Sequence, residues 1–225
     1  MKRIGRIIAL AVVLPLLLGL FTSCVTQGFV SNVTRSDIQQ LSQFEILTNV
    51  GEIEKGNKIT HSDSLTQMAQ ALFATELAKE KVLPITETIE IKDSTVYNKV
   101  QYEIFILMTC LERHMKPKDL PVPPTIDSIL CTRGQRFGML VYDWGFVRST
   151  GNYAGQVAKG IAIGILTMGS FYTVPYKDMT RSGILIYDTK NRNFAYVSTV
   201  AAESSPLEGK TYQKLMKDLM KKYKK

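Results

Sequence analysis

The sequence predicts an α+β domain, a mixed α/β sandwich with helices packed on a predominantly antiparallel sheet. Three observations carry this. Segments whose apolar residues recur at helical spacing are interleaved with segments of strand-forming residues. One of the latter, 137–148, is apolar on both sides, with Met139 and Val141 on one and Leu140, Tyr142 and Trp144 on the other, as a central strand requires. Near the C-terminus, 184–187 and 194–200 flank Asp188-Thr189-Lys190-Asn191-Arg192-Asn193, a polar run suited to a hairpin turn.

The first element precedes the domain. Lys2, Arg3 and Arg6 stand before an apolar run over 7–21, and Thr22 and Ser23 lead into Cys24, the layout of an export signal. The run holds about 15 apolar or glycine residues with Pro15 inside, short of the roughly 20 that a spanning helix needs. Phe21-Thr22-Ser23-Cys24 resembles the lipobox of bacterial lipoproteins. The resemblance implies a signal peptide over 1–23, cleavage between Ser23 and Cys24, and acylation of Cys24, which would hold the mature chain to a lipid bilayer. An ordinary secretory signal and a retained anchor are the alternatives. By the same resemblance, Val25 is not the aspartate that favours inner-membrane retention, and 25–29 lacks the acidic residues of surface-export signals. The implied location is the outer membrane, with the body facing the periplasm.

The stretch 24–37 is polar and unpatterned and reads as a lipidated tether, leaving 38–225 as a single periplasmic domain. Segments 44–50 and 58–60 look like short strands of a hairpin around Gly51 and Gly56. Ser64 and Gln67 fit a capping box, and Leu65, Met68, Ala69, Leu72 and Leu77 share one face of a helix that ends before Pro84. In 85–91 the alternation predicts a strand with Ile85, Ile89 and Ile91 facing one way. Although 104–108 is continuously apolar, Tyr97, Val100, Ile104, Leu107, Met108, Leu111 and Met115 recur at three and four, so the segment is a helix capped by Asp93 or Ser94. Pro117, Pro121, Pro123 and Pro124 make an extended connector, followed by a short helix over 125–132 that Gly134 stops. Pro206 opens the last helix, whose face of Tyr212, Leu215, Met216, Leu219, Met220 and Tyr223 opposes a face of lysines. The preferred reading buries that apolar face on the sheet; the alternative lays the helix on anionic lipid headgroups.

The segment 151–175 is an apolar, glycine-rich insertion. Gly151, Gly155, Gly160, Gly164 and Gly169 are set among Ile161, Ile163, Ile165, Leu166 and Met168. Two readings stay open. In one it is a surface element that docks on a partner, a second subunit or the bilayer, with Gly160 and Gly164 permitting close approach and Ile161 and Ile165 making contact. In the other it is a buried helix with Ile161, Ile165 and Met168 on the core. Its apolar part, about 14 residues, is too short to span a membrane alone, and two short strands would span only if many copies closed a barrel.

Charge excludes less than it first promises. Of the net +8, Lys2, Arg3 and Arg6 belong to the signal, and seven lysines against one aspartate lie from Lys210 onward, so the remaining body is within one charge of neutral. With no nucleic-acid motif or distributed basic stripe, no nucleic-acid partner is expected. Catalysis has little support either. His61 and His114 are the only histidines and read as solvated or capping residues, and no nucleophile elbow, P-loop or dinucleotide fingerprint is present. Asp143 and Asp188 would form a carboxylate pair only if their strand ends met; the plainer reading is a strand edge and a turn residue. Cys110 and Cys131 are a candidate disulfide in an oxidising compartment, although two buried free thiols are preferred because the core is large enough to need no staple. No metal site and no cofactor are expected.

A second resemblance rests on Gly134…Phe137-Gly138-Met139-Leu140-Val141-Tyr142…Gly145-Phe146, the glycine-rich gap, Ile184-Leu185-Ile186-Tyr187-Asp188 and the closing basic helix. This order is similar to that of uncharacterised Gram-negative envelope lipoproteins, and more distantly to the periplasmic α/β domain of the curli-secretion lipoprotein and the amino-terminal domain of TolB. It brings no catalytic residue. The expectation is a non-catalytic binding or assembly component of an envelope complex, partnered by an envelope protein or a second copy. The alternatives are an oligomeric secretion-type subunit that uses 151–175 as a membrane element and, more distantly, an envelope hydrolase.

Overall fold

The computed structural model describes residues 26–30, 32–54, 56–149, 151–167 and 175–225. The signal peptide, Ser23 and Cys24 lie outside them, as do Met168 and Gly169. The sheet is built from β1 (Thr26–Phe29), β2 (Leu41–Phe44), β3 (Leu47–Ile53), β4 (Ile59–His61), β5 (Ile85–Ile89), β6 (Phe137–Arg148), β7 (Met179–Asp188) and β8 (Asn193–Ala202). Its main path is β1-β8-β7-β6-β2-β5, and β3 continues the β2 edge, lying between β6 and β4. The long ladders β6/β7 and β7/β8 are antiparallel, as are β1/β8 and β3/β4; β2 and β3 run parallel to β6, and β5 parallel to β2. The predicted α/β sandwich with a predominantly antiparallel sheet is the observed fold.

Helices cover both faces of the sheet. On one, α1 (Asp63–Leu77) and α5 (Gly209–Met220) bury Phe73, Leu77, Tyr212, Leu215 and Leu219 against Met139, Val141, Ile184 and Ile186. On the other, α2 (Ser94–Glu112) and α3 (Pro124–Thr132) bury Ile104, Leu107, Ile126 and Leu130 against Leu140, Tyr142, Leu185 and Val197. Strand β6 feeds both layers, which is why its sequence is apolar on both sides. Asp93 caps α2 by accepting from Thr95 N at 2.7 Å and Val96 N at 3.1 Å. At the start of α3, where Pro123 offers no capping side chain, Glu103 of α2 accepts from Thr125 N and Ile126 N at 2.7 and 3.1 Å. This places a carboxylate on a helix N-terminus and pins the two helices together. Gly134, at φ 67°, closes α3 as expected.

Several local expectations are corrected. Within the supposed tether over 24–37, Thr26–Phe29 pairs with β8, and Phe29 meets Tyr196 edge-on at a centroid distance of 5.2 Å and stacks on Tyr223 at 5.7 Å. A four-residue strand with one aromatic anchor is too short to show a period. Ser62, not Ser64, caps α1, accepting from Leu65 N, and Phe73 replaces the exposed Met68 on its buried face. The isoleucines of 85–91 do not share a face: the β2/β5 register shifts after Ile85, so Ile85 packs on the α1 side while Ile89 and Ile91 pack on the α2 side. The last helix begins at Gly209, three residues after Pro206.

Candidate interaction surface

Strand β6 ends at Arg148, opposite Ile53, the last residue of β3. The ladder runs one residue further, Ser149 N donating to the Ile53 carbonyl at 3.1 Å. Gly151 then adopts φ 86°, a left-handed turn that glycine makes without strain, and starts α4 (Asn152–Leu166). The base of α4 is tied down by side chains. Asn152 is only 7% exposed; its Nδ2 donates to the Glu54 carbonyl at 2.6 Å, and its Oδ1 accepts from Arg148 Nη1 at 2.8 Å. The same Nη1 donates to Asn57 Oδ1 at 3.1 Å, Arg148 Nε donates to the Tyr176 carbonyl at 2.6 Å, and Asp178 Oδ1 accepts from Arg148 N at 3.1 Å. One arginine thus joins the end of β6, the β3–β4 turn, the start of α4 and the chain entering β7, through charge-assisted bonds that are stronger than neutral ones.

Beyond that clamp α4 turns little of itself to the body. Tyr153, Gln156 and Val157 are half-buried and Gly160 is buried, forming the inward side. Ala154, Ala158, Ile161 and Ile165, spaced four, three and four apart, form one exposed stripe. Ile161 and Ile163 are 45% exposed and Ile165 is 74% exposed. Lys159 is the only charged residue of the helix. Fully burying an isoleucine side chain is worth about 1.5–3 kcal/mol, so covering this stripe is favourable by a few kcal/mol. The buried-helix reading is therefore corrected: Ile161 and Ile165 face solvent, not the core. Of the four residues singled out for interaction, Gly160 is buried, Gly164 lies in α4, and the two isoleucines are presented outward. Among the described residues no helix is long and apolar enough to cross a membrane.

The other candidates lie elsewhere in the fold. Asp143 is fully buried beneath α5, accepting from Ser182 Oγ at 2.6 Å and from Tyr212 OH at 2.7 Å. Burial pushes its carboxyl up to about 6, against the lowering effect of the two hydroxyls. Tyr212 is pushed up as well, by burial and then by the adjacent carboxylate. Asp188 sits six positions away along β6, opposite Phe137, whereas Asp143 is opposite Ser182. At about 3.3 Å per residue the two carboxylates stand about 20 Å apart, so they form no pair. Asp188 is saturated by a bidentate Arg136 at 3.0 Å on each oxygen, by Lys190 N and by Asn191 Nδ2. His61 bridges Asn49 and Asp63 on the surface. His114, at φ 60°, ends α2: its N–H donates to the Leu111 carbonyl and Met115 N–H to that of Cys110. Cys110 and Cys131 are free thiols, and contrary to the buried expectation Cys131 is exposed and Cys110 half-buried. Among the described residues no group of three or more His, Cys, Asp or Glu gathers as a metal site.

Arg148 and Asn152 were not singled out from the sequence. A glycine followed by asparagine after a strand is a turn signal, but the partners of that asparagine and arginine lie 98 and 91 residues away. No periodicity reports contacts at such separations.

No family model and no curated protein matches this chain. Among solved structures, a PelC dodecamer from Paraburkholderia phytofirmans is 8% identical, with 88% of this chain and 96% of that chain covered, at a TM-score of 0.40. The C-terminal domain of LpoB from Salmonella enterica is also 8% identical, with 78% and 88% covered, at a TM-score of 0.30. Likeness at this level carries neither protein's assembly nor its partners over to this chain.

Proposed function

We propose that this chain is a lipid-anchored, non-catalytic protein of the bacterial envelope, held to the outer membrane by acylated Cys24, facing the periplasm, and serving as an assembly component of an envelope complex. The observation that carries the reading is the uncharged stripe Ala154-Ala158-Ile161-Ile165, held out on a helix whose base is clamped by Arg148 and Asn152. A rigid support under an exposed apolar face is what a contact surface needs. The lipobox-like Phe21-Thr22-Ser23-Cys24 supports the location. Asp143 and Asp188, each with its oxygens already occupied by protein donors, support a structural rather than catalytic use of the carboxylates.

Intact-mass measurement of membrane-extracted protein tests the anchor: the expected species begins at Cys24 and carries acyl chains, and Cys24→Ala should abolish processing. The binding role is tested in cells. Asp143→Asn, Asp188→Asn and His114→Ala should retain function, while Ile161→Asp with Ile165→Asp should lose it at normal abundance. Loss in any of the first three with unchanged melting would favour catalysis and overturn the reading.

A further inference from the structure

Resting on the reading of Cys24 as the anchor, we propose that the surface covering the α4 stripe is the lipid bilayer that holds that anchor. Helix α4 lies along the membrane interface as a second, non-covalent point of attachment. Strand polarity is the first argument. β7 runs against β6, β8 against β7 and β1 against β8, so the chain enters β1 from the end of the sheet at which β6 hands over to α4. Thr26 is level with Thr199, Thr199 with Gly183, and Gly183 with Tyr142, six residues before Arg148. With a rise of about 3.3 Å per residue and about 4.8 Å between strands, Thr26 and Arg148 are about 25 Å apart. Cys24, two residues before Thr26, adds at most about 7 Å. A membrane plane that holds Cys24 is therefore within reach of α4, which is itself about 22 Å long.

The chemistry of the stripe is the second argument. Ala154, Ala158, Ile161 and Ile165 offer aliphatic surface only, with none of the Trp, Tyr or Arg that dominate protein–protein contacts and no polar group to set a register. Hydrocarbon asks for neither shape nor polar complementarity, and Lys159, off the stripe, is long enough to reach headgroups. Helix α5 does not share the role. Its early residue Tyr212 contacts Asp143 while its late residue Leu219 meets Tyr196 and Ser198, so its lysine-rich end points away from α4. The attachment is therefore mainly apolar, with Lys159 its single charge, and should depend little on anionic lipid and on salt.

The test uses the full acylated chain with Cys110→Ser and Cys131→Ser, reconstituted in vesicles of phosphatidylethanolamine with or without phosphatidylglycerol. An environment-sensitive fluorophore is placed at Ile165→Cys and, as a reference, at Tyr102→Cys, an exposed position of α2. Bromine on the lipid acyl chains should lower emission about twofold at position 165, where the helix sits at the acyl boundary, with no comparable change at 102 and little dependence on phosphatidylglycerol. A label at 165 that bromolipid does not quench but that is shielded from aqueous iodide would mean a protein covers the stripe, overturning the bilayer while leaving α4 a contact surface. A label at 165 open to iodide would overturn both.

Discussion

Helices α4 and α5 make opposite use of similar material. α5 carries lysines along one side yet buries Tyr212, Leu215, Met216, Leu219 and Met220 in the core, with Tyr223 just beyond it. α4 carries a single charge and leaves Ile161 and Ile165 in solvent. Overall polarity would have placed them the other way round. Contrast between faces is what locates a helix: α5 has a wet face and a dry face, so only one orientation satisfies both. α4 has no wet face, and the centre of the sheet on either side is already covered by α1, α2, α3 and α5, leaving only the half-buried end of β6 and the exposed β4 beside it.

The largest expected effect is therefore on α5. Leu219 is fully buried, and its carbonyl accepts from Tyr196 OH at 2.7 Å and Ser198 Oγ at 2.8 Å. Leu219→Asp inserts an unpaired carboxylate there and should cost several kcal/mol, enough to leave the protein unfolded or aggregated in expression and thermal-melt assays. A melt unchanged from wild type would mean that α5 is peripheral. Next comes Asp143, which joins α5 to the sheet through Tyr212. Its carboxyl is raised to about 6 when folded, so below about pH 4 it is neutral in both states and costs nothing. As pH rises toward 6 the unfolded chain ionises first, and the native state loses up to about 3 kcal/mol of relative stability. Asp143→Asn removes that dependence. The variant should gain on the wild type between pH 4 and 7 in denaturant titrations, and a constant difference across this range would show that the carboxyl is not raised.

The same contrast explains what could be read from the sequence. Helices with a wet and a dry face were legible: α2 and α5 bury the faces that their periodicity assigned. β6 and the β7–β8 hairpin were legible from other signals, an apolar run on both sides and a polar turn. Short pieces without contrast were not, Thr26–Phe29 being the clearest case, and the bulge after Ile85 reverses a face that alternation had assigned. For 151–175 the apolar content was plain, but whether Ile161 and Ile165 look inward depends on whether the sheet has an uncovered face. That is a property of the completed fold. The clamp was invisible for a related reason: Arg148 and Asn152 find their partners only after β3, β6 and β7 are aligned.

A smaller effect is expected at that clamp. Asn152→Ala removes the bond to the Glu54 carbonyl and one of the guanidinium's acceptors. A bond of this kind contributes about 1 kcal/mol net, so the midpoint of global unfolding should move little. Local opening of α4 should become roughly tenfold more frequent, read as faster amide exchange over α4 with exchange over α5 unchanged. Equal acceleration in both helices would mean that α4 does not open as a separate unit and would erase the contrast drawn between them.

The smallest effect on stability, and the sharpest discrimination, belongs to the stripe itself. Ile161→Asp and Ile165→Asp replace side chains that are 45% and 74% exposed, so the introduced carboxylates remain solvated. Exposed substitutions away from special features change stability by under about 0.5 kcal/mol, and the melting temperature of each variant should match the wild type. What should change is attachment: two negative charges on the stripe oppose insertion into hydrocarbon and disfavour any apolar partner alike. Loss of several kcal/mol in both variants would place these isoleucines in the core and remove the surface on which the proposed function rests. Unchanged melting together with unchanged contact to membrane and to neighbouring protein would leave α4 exposed but idle. Only unchanged melting with lost contact agrees with a helix whose apolar face is kept out of the core because something outside the body covers it.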